Sequence, residues 1–284
     1  MSEKDIDEVS GIATTGHEWD GIKELDNPMP RWWVYTFYAT IVWAVIYTIA
    51  FPAWPMITSA TSGMIGWSSR GDVKQELAAA ETAKSDYVAA VAAASVEEIL
   101  ADDTLRQFAT AAGAAAFKVN CVQCHGSGAV GSPGYPNLND DEWLWGGTPE
   151  AIRATIAHGI RFDGDDDTRY SEMPAYGDML SRDEVNAVTS YVLALSHGGE
   201  LDPVGTQIFA DNCAACHGET GKGGVDFGAP DLTDAIWLYG SSKEEIASQI
   251  RRPRHGVMPA WQARLGDTTV KELTVYVHSL GGGQ

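Results

Sequence analysis

Two pentapeptides, Cys121-Val122-Gln123-Cys124-His125 and Cys213-Ala214-Ala215-Cys216-His217, constrain this chain more than any other feature, because between them they use all 4 of its cysteines. Two thiols three residues apart on one turn can each add to a vinyl group of a single porphyrin, and the adjacent imidazole then offers an axial nitrogen to its iron. This is the attachment signature of a c-type haem. Half a zinc site or a thioredoxin-like redox pair would use the cysteines and leave the following histidines unexplained. Zinc ribbons also space their pairs by roughly 15–20 residues, whereas Cys124 and Cys213 lie much further apart. Two covalently bound haem c groups are therefore expected, with Cys121, Cys124, Cys213 and Cys216 as attachment points and His125 and His217 as axial ligands.

Both motifs sit inside a longer internal repeat. After the first come Gly131 to Leu138, Trp143-Leu144-Trp145-Gly146-Gly147, Ile152 and Ile156, and Met173-Pro174-Ala175-Tyr176. After the second come Gly223 to Leu232, Trp237-Leu238-Tyr239-Gly240, Ile246 and Ile250, and Met258-Pro259-Ala260-Trp261. Landmarks in the same order twice argue for two copies of one module of about 90 residues.

The module resembles the class I cytochrome c fold from about Thr104 to the C-terminus. The resemblance implies a helix before each haem motif, with Leu105, Phe108 and Phe117 as the apolar stripe of the first and Ile208 and Phe209 in the second. It implies that Pro136 and Pro230 accept the Nδ1 proton of the axial histidines through their carbonyls, which fixes ring orientation and basicity. Closing helices are expected over Arg182 to Leu195 and Thr268 to Leu280, each packed against the first helix of its own module. Met173 and Met258 match the sixth-ligand position of that family. A methionine is most often core filler, but each of these two lies between a haem motif and a closing helix. His158, His197, His255 and His278 are the rival sixth ligands. Two imidazoles on one iron would lower its potential relative to a His/Met pair. Two six-coordinate irons leave no open position for substrate, so the modules carry electrons and hold no catalytic site of their own.

From Trp32 to Phe51 the chain runs twenty residues without a charge. At about 1.5 Å per residue such a helix spans about 30 Å, one bilayer core. It starts after thirty polar residues, is rich in interfacial Trp and Tyr, and stops at Pro52, which reads as an uncleaved anchor and not a signal peptide. Covalent haem attachment in bacteria takes place on the periplasmic side, so residues after about 52 are expected outside the inner membrane and residues 1–31 in the cytoplasm. The charges flanking the span, Lys23 and Arg31 before it and Arg70 and Lys74 after it, support that orientation weakly.

The Ala-rich stretch from Asp72 to Ala94 lacks Pro and predicts a helix between the anchor and the haem modules. The net charge of −20 excludes nucleic acid as a partner and suits either electrostatic steering of a basic soluble cytochrome c or plain solubility. Asp165, Asp166 and Asp167 read as a solvated acidic run.

The lead-in His17-Glu18-Trp19-Asp20-Gly21-Ile22-Lys23-Glu24-Leu25-Asp26-Asn27-Pro28-Met29-Pro30-Arg31-Trp32-Trp33, together with Trp54-Pro55 and Gly66-Trp67-Ser68-Ser69, resembles the dihaem P subunit, subunit III, of cbb3-type cytochrome c oxidases. With the two modules, the resemblance extends over almost the whole chain. It implies a respiratory-chain subunit that takes electrons from a soluble cytochrome c donor. Those electrons would pass to a monohaem cytochrome c subunit and then to a catalytic haem-copper oxidase subunit that reduces oxygen and pumps protons. The fold is expected to be mainly α, a transmembrane helix followed by two tandem class I cytochrome c domains. The segments are 1–31 cytoplasmic, 32–52 anchor, 53–103 largely helical linker, 104–198 first domain and 199–284 second domain. In that family the modules intertwine, so the methionine pairing stays open between cis, with His125 and Met173 on one iron, and exchange. Two competing functions are a dihaem subunit of another membrane or periplasmic redox enzyme and a haem-based gas or redox sensor.

Overall fold

The computed structural model describes residues 5–281; residues 1–4 of the expected cytoplasmic segment and 282–284 of the expected second domain lie outside the described residues. The chain divides into two units, Met1–Ala83 and Lys84–Gln284.

In the first unit, β1 (Thr14–Trp19) and β2 (Ile22–Leu25) pair antiparallel, with Trp19 opposite Ile22 and Glu18 opposite Lys23. The turn between them is Asp20-Gly21, at φ 48° and 83°. Two successive residues in the left-handed region are what a two-residue hairpin needs to match strand twist, and Asp-Gly supplies them at little steric cost. The lead-in is thus a two-stranded hairpin. Helix α1 (Arg31–Ala50) follows Pro30 and covers almost the predicted span. Among the described residues it is the helix long and apolar enough to cross a membrane, and none of its residues is buried. Its threonines donate back to the helix, Thr36 to the Trp32 carbonyl at 2.9 Å, Thr40 to Phe37 at 2.7 Å and Thr48 to Val45 at 2.9 Å, so these hydroxyls are paired within the helix itself. Pro52 cannot continue the helix, and the loop beyond returns to its end: the amides of Met64 and Ile65 donate to Ile49 and Ala50, whose carbonyls have no intrahelical partner. Gly63 makes that approach, since a Cβ there would stand 2.3 Å from the Ala50 oxygen.

Helix α2 (Ser69–Ala93) crosses from the first unit into the second and agrees with the predicted linker helix. In the second unit come α3 (Val96–Ala101), opened by a Ser95/Glu98 capping box, α4 (Asp103–Asn120), capped by Asp102, and the short α5 (Val122–His125) carrying the first motif. Next are α6 (Pro149–His158), capped by Thr148 with proline in its first turn, and α7 (Arg182–His197), opened by a Ser181/Glu184 capping box. The second repeat supplies α8 (Pro203–Asn212), α9 (Ala214–His217), α10 (Lys243–Arg251), α11 (Gln262–Leu265) and α12 (Asp267–His278).

The closing helices do not pack as the repeat predicts. Helix α12, from the second repeat, lies on α4 and α6 of the first, while α7, from the first repeat, lies on α8 and α10 of the second. One core therefore joins Phe117, Ile152 and Ile156 to Val270, Leu273 and Val277, and the other joins Val185, Val188 and Val192 to Phe209, Ile246 and Ile250. The physical reason is the connector. Residues 198–202 alone separate α7 from α8, and so short a link holds consecutive helices as antiparallel neighbours. With α8 occupied by α7, α12 takes the equivalent place on α4.

Each of these helix crossings is made close by a glycine. A Cβ on Gly113 would stand 2.1 Å from the Glu272 carbonyl oxygen, and one on Gly205 would stand 2.3 Å from that of Ala187. Beside the first crossing, α2 and α3 add a satellite core of Val91, Val96 and Ile99 with Ala109 and Val275, over which Tyr87 stacks on Phe108 at 5.2 Å between ring centres.

Candidate haem-binding clefts

Helices α4 and α8 each run into a haem motif without a break in the chain's right-handed course, so the first cysteine of each motif caps the longer helix and starts the short one. Both histidines present the same geometry. His125 Nδ1 lies 3.1 Å from the Pro136 carbonyl and His217 Nδ1 lies 3.1 Å from that of Pro230. An Nδ1–H donated to a carbonyl selects the tautomer whose Nε2 lone pair is free for a metal. Burial lowers both imidazole pKa values, against the raising effect of those carbonyls, and so keeps the rings neutral and able to ligate. Gly131 and Gly223 bring the loops back to the motif. Both have positive φ, and a Cβ on either would meet the Tyr135 or Ala229 carbonyl at 2.5 Å.

A cleft opens beside each motif. Both merge with solvent: the first, of about 790 Å³ with its open mouth, is lined by Cys121, His125 and Met258, and the second, of about 1360 Å³ with its mouth, by Cys213, Cys216, His217 and Met173. Each methionine therefore faces the histidine of the other repeat. Met258 is held by a two-way backbone pair with Ile160, at 2.9 and 3.0 Å. Trp261 adds its amide to the Ile156 and Ala157 carbonyls, each at 3.1 Å. On the other side, Tyr176 donates its hydroxyl to the Asn212 carbonyl at 2.6 Å, one residue before Cys213. The aromatic of each Met-Pro-Ala-aromatic unit thus ties its loop to the opposite repeat. Of the rival imidazoles, His158 Nδ1 is paired with Asp165 at 3.1 Å and His197 Nδ1 lies 2.8 Å from Ser196 Oγ; neither lines a cleft, nor does His278. His255 does line the second cleft.

The residues fit a c-type haem on two grounds. Burial pushes the Cys121 and Cys213 thiols up to about 11, so in the free chain they are neutral and not poised for disulfide exchange. Buried nitrogens without a protein partner face the clefts at equivalent repeat positions, Trp143 Nε1 in the first and Trp237 Nε1 in the second, joined there by His255 Nε2. Unpaired buried donors are costly unless a ligand accepts from them, and the carboxylates of a porphyrin are such acceptors. The motif reading passed over Trp143 and Trp237 as cleft residues, although both lay in plain view as repeat landmarks, and it read His255 only as a rival sixth ligand.

Between the two clefts the repeats meet polar group to polar group. Glu142 faces Asp234 and Asp231, with ligand atoms within 4.8 Å of one another. Burial, then the hydrogen bond and charge of Asp234, push the Glu142 carboxyl up to about 7. A carboxyl raised in the fold binds a proton that the unfolded chain releases. Its contribution to stability is full below the ordinary carboxylate range, near 4.5, and is lost as pH rises through about 7. Glu142→Gln should therefore leave the melting temperature of the full chain in detergent near wild type at pH 4.5 and raise it at pH 8, by an amount equivalent to about 1 kcal/mol after solvent screening. Equal melting shifts at both pH values would disprove that the carboxyl is the titrating group.

Tandem motif-bearing helices, proline-bonded histidines and methionine-lined clefts, in a chain that also carries an apolar helix earlier in its sequence, define a mainly helical c-type cytochrome built from two repeats. The family described as the N-terminal domain of cytochrome oxidase-cbb3, FixP, matches residues 11–58, and that described as cytochrome c oxidase, cbb3-type, subunit III, matches residues 108–192 and 202–277. Among curated relatives, the cbb3-type cytochrome c oxidase subunit FixP of Rhizobium meliloti (strain 1021) is 59% identical over 284 residues, covering 99% of this chain and 98% of the relative. Subunit FixPc of Rhizobium leguminosarum bv. viciae is 60% identical over 286 residues, covering 100% of both. Subunit CcoP of Cereibacter sphaeroides is 53% identical over 276 residues, covering 95% of each. The chain belongs to the cbb3-type cytochrome c oxidase subunit III family, and its work is electron transfer within the oxidase complex.

Proposed function

We propose that the chain holds two covalent haem c groups, one on Cys121 and Cys124 between His125 and Met258, the other on Cys213 and Cys216 between His217 and Met173. The observation that carries this reading is the pairing of imidazole and thioether from different repeats across each cleft. Each bound haem would supply one-electron exchange between ferric and ferrous iron. The chain's own residues do the rest. Pro136 and Pro230 fix the imidazoles, the thioethers favour ferrous iron and raise the potential, and the trapped indoles take the carboxylates. Leu144 borders both clefts, so the two sites share one aliphatic wall residue. The repeats at 104–198 and 199–284 remain the units of sequence, with closing helices and methionines exchanged between them.

In this reading α1 is a single-pass anchor in the bacterial inner membrane, residues 1–31 are cytoplasmic and the haem clefts are periplasmic. Electrons enter from a soluble cytochrome c, for which the charge of −20 offers long-range steering of a basic partner. They leave toward the monohaem subunit and the oxygen-reducing haem-copper core. The test is a mass and a spectrum of the purified complex. We expect two haem masses on this chain, a sulfur-to-ferric-iron charge-transfer band, and carbon monoxide taken up only by the oxidase core. Carbon monoxide binding by this chain alone would overturn the carrier reading in favour of a sensor.

The hairpin of β1 and β2 exposes Trp19 and Ile22, a cross-strand apolar pair suited to a partner subunit. Trp19→Ala combined with Asp20→Ala, which also disturbs the turn, is expected to lower retention of this subunit in the isolated complex severalfold. Unchanged subunit stoichiometry on a denaturing gel would rule out docking through the hairpin.

A further inference from the structure

One side chain reaches both methionine loops. Arg161 follows α6 at φ 52°, in the left-handed region that a long side chain avoids unless its surroundings hold it there. Its Nε donates to the Gly256 carbonyl at 2.8 Å, and its Nη1 donates to the Ser171 carbonyl at 2.8 Å. Gly256 is two residues before Met258, and Ser171 is two residues before Met173. The Arg161 amide donates to the Arg169 carbonyl at 2.8 Å, so the backbone that presents the guanidinium is itself fixed. The neighbouring Ile160 makes the two-way bond with Met258, and Gly159 permits it, because a Cβ there would stand 2.2 Å from the Met258 oxygen. Arg161 also lines the cleft of Met173 and His217. The segments that bear Met173 and Met258 come from different repeats, and this planar fork meets both at once. A lysine carries the charge but not two donors in a fixed fork.

We propose that Arg161 is a positioning residue shared by both methionine loops, so that the two thioethers are held against their irons, or released, together. The proposal rests on the exchanged His/Met ligation above and adds to it a coupling between the two sites. A hydrogen bond from a charged donor contributes more than a neutral one, and two such bonds on two loops make Arg161 a single point of loss for both. Each loop keeps other ties, Ile160 on one side and Tyr176 on the other, so the variant chain should still fold.

The experiment uses the full-length chain purified in detergent with its haems attached. Arg161→Gln is expected to carry two haem masses, to show a weaker sulfur-to-iron charge-transfer band at both irons, resolved by magnetic circular dichroism through a redox titration, and to bind carbon monoxide at both ferrous irons about tenfold more readily than wild type. Arg161→Lys should fall on the same side, since the fork and not the charge is what spans the loops. It also serves as the test if the glutamine variant fails to load both haems. Wild-type bands in either loaded variant, or a change confined to one iron, would overturn the shared clamp. A wild-type chain without the sulfur band would instead overturn the methionine ligation itself.

Discussion

Met258→Ala is expected to remove the sixth ligand from the haem on Cys121 and Cys124, and to spare the haem attached in its own repeat. Met258 packs with Phe117, Cys121 and Val122 in one core, whereas Met173 packs with Cys213 and Ala214 in the other. Losing the thioether withdraws the soft ligand that favours ferrous iron, so the potential of that haem should fall by on the order of 0.1–0.2 V, within the span of about 0.8 V that axial ligation controls. A vacated sixth position should also admit carbon monoxide. To tell the irons apart, Cys213→Ala and Cys216→Ala can be introduced together to leave only the first haem on the full chain. In that background, exchange predicts that Met258→Ala abolishes the sulfur band and Met173→Ala leaves it. The opposite result would restore the cis pairing and refute the reading of the clefts.

Much of the site is legible in the residues themselves. The duplicated motif, Pro136 with Pro230 and Met173 with Met258 recur at matching places, and the structure puts each proline carbonyl on its histidine at 3.1 Å. The pairing of closing helices is not legible from the repeat, because two copies of one module present interchangeable apolar stripes: Val185, Val188 and Val192 on α7 would suit α4 much as Val270, Leu273 and Val277 on α12 do. What selects the partner is the length of 198–202, a property of the connector and not of either helix. The hairpin had a local signal of another kind, Asp20-Gly21 between residues suited to strands, which is easily passed over beside a lead-in rich in Pro and Trp. Arg161 has no signal in the sequence at all, since its role depends on two carbonyls that only the exchanged fold brings within reach of one guanidinium.

The crossing of α4 and α12 gives the sharpest test of that fold, because two effects of one substitution oppose each other. Gly113 lies in the interior of α4, and alanine is the better helix former by about 1 kcal/mol. Propensity alone therefore predicts that Gly113→Ala stabilises the chain. The added methyl, however, would stand 2.1 Å from the Glu272 carbonyl oxygen and 2.7 Å from the Tyr276 Cβ. Backbone cannot swing aside as a side chain can, so α12 must move away from α4, and overpacking of this kind costs typically 1–3 kcal/mol. Here it falls at the upper end. The net expectation is a loss of about 2 kcal/mol, with a lower melting temperature and disturbed ligation at the haem on Cys121 and Cys124, since α12 carries Leu273 and Val277 into that cleft. Gly205→Ala should act likewise at the other haem, its methyl meeting the Ala187 oxygen at 2.3 Å. Ala115→Gly, on the exposed side of α4, is the control and should cost only the propensity term of about 1 kcal/mol, with both haem spectra unchanged. Should Gly113→Ala prove more stable than wild type, α12 does not lie on α4, and the exchange of closing helices between the repeats fails with it.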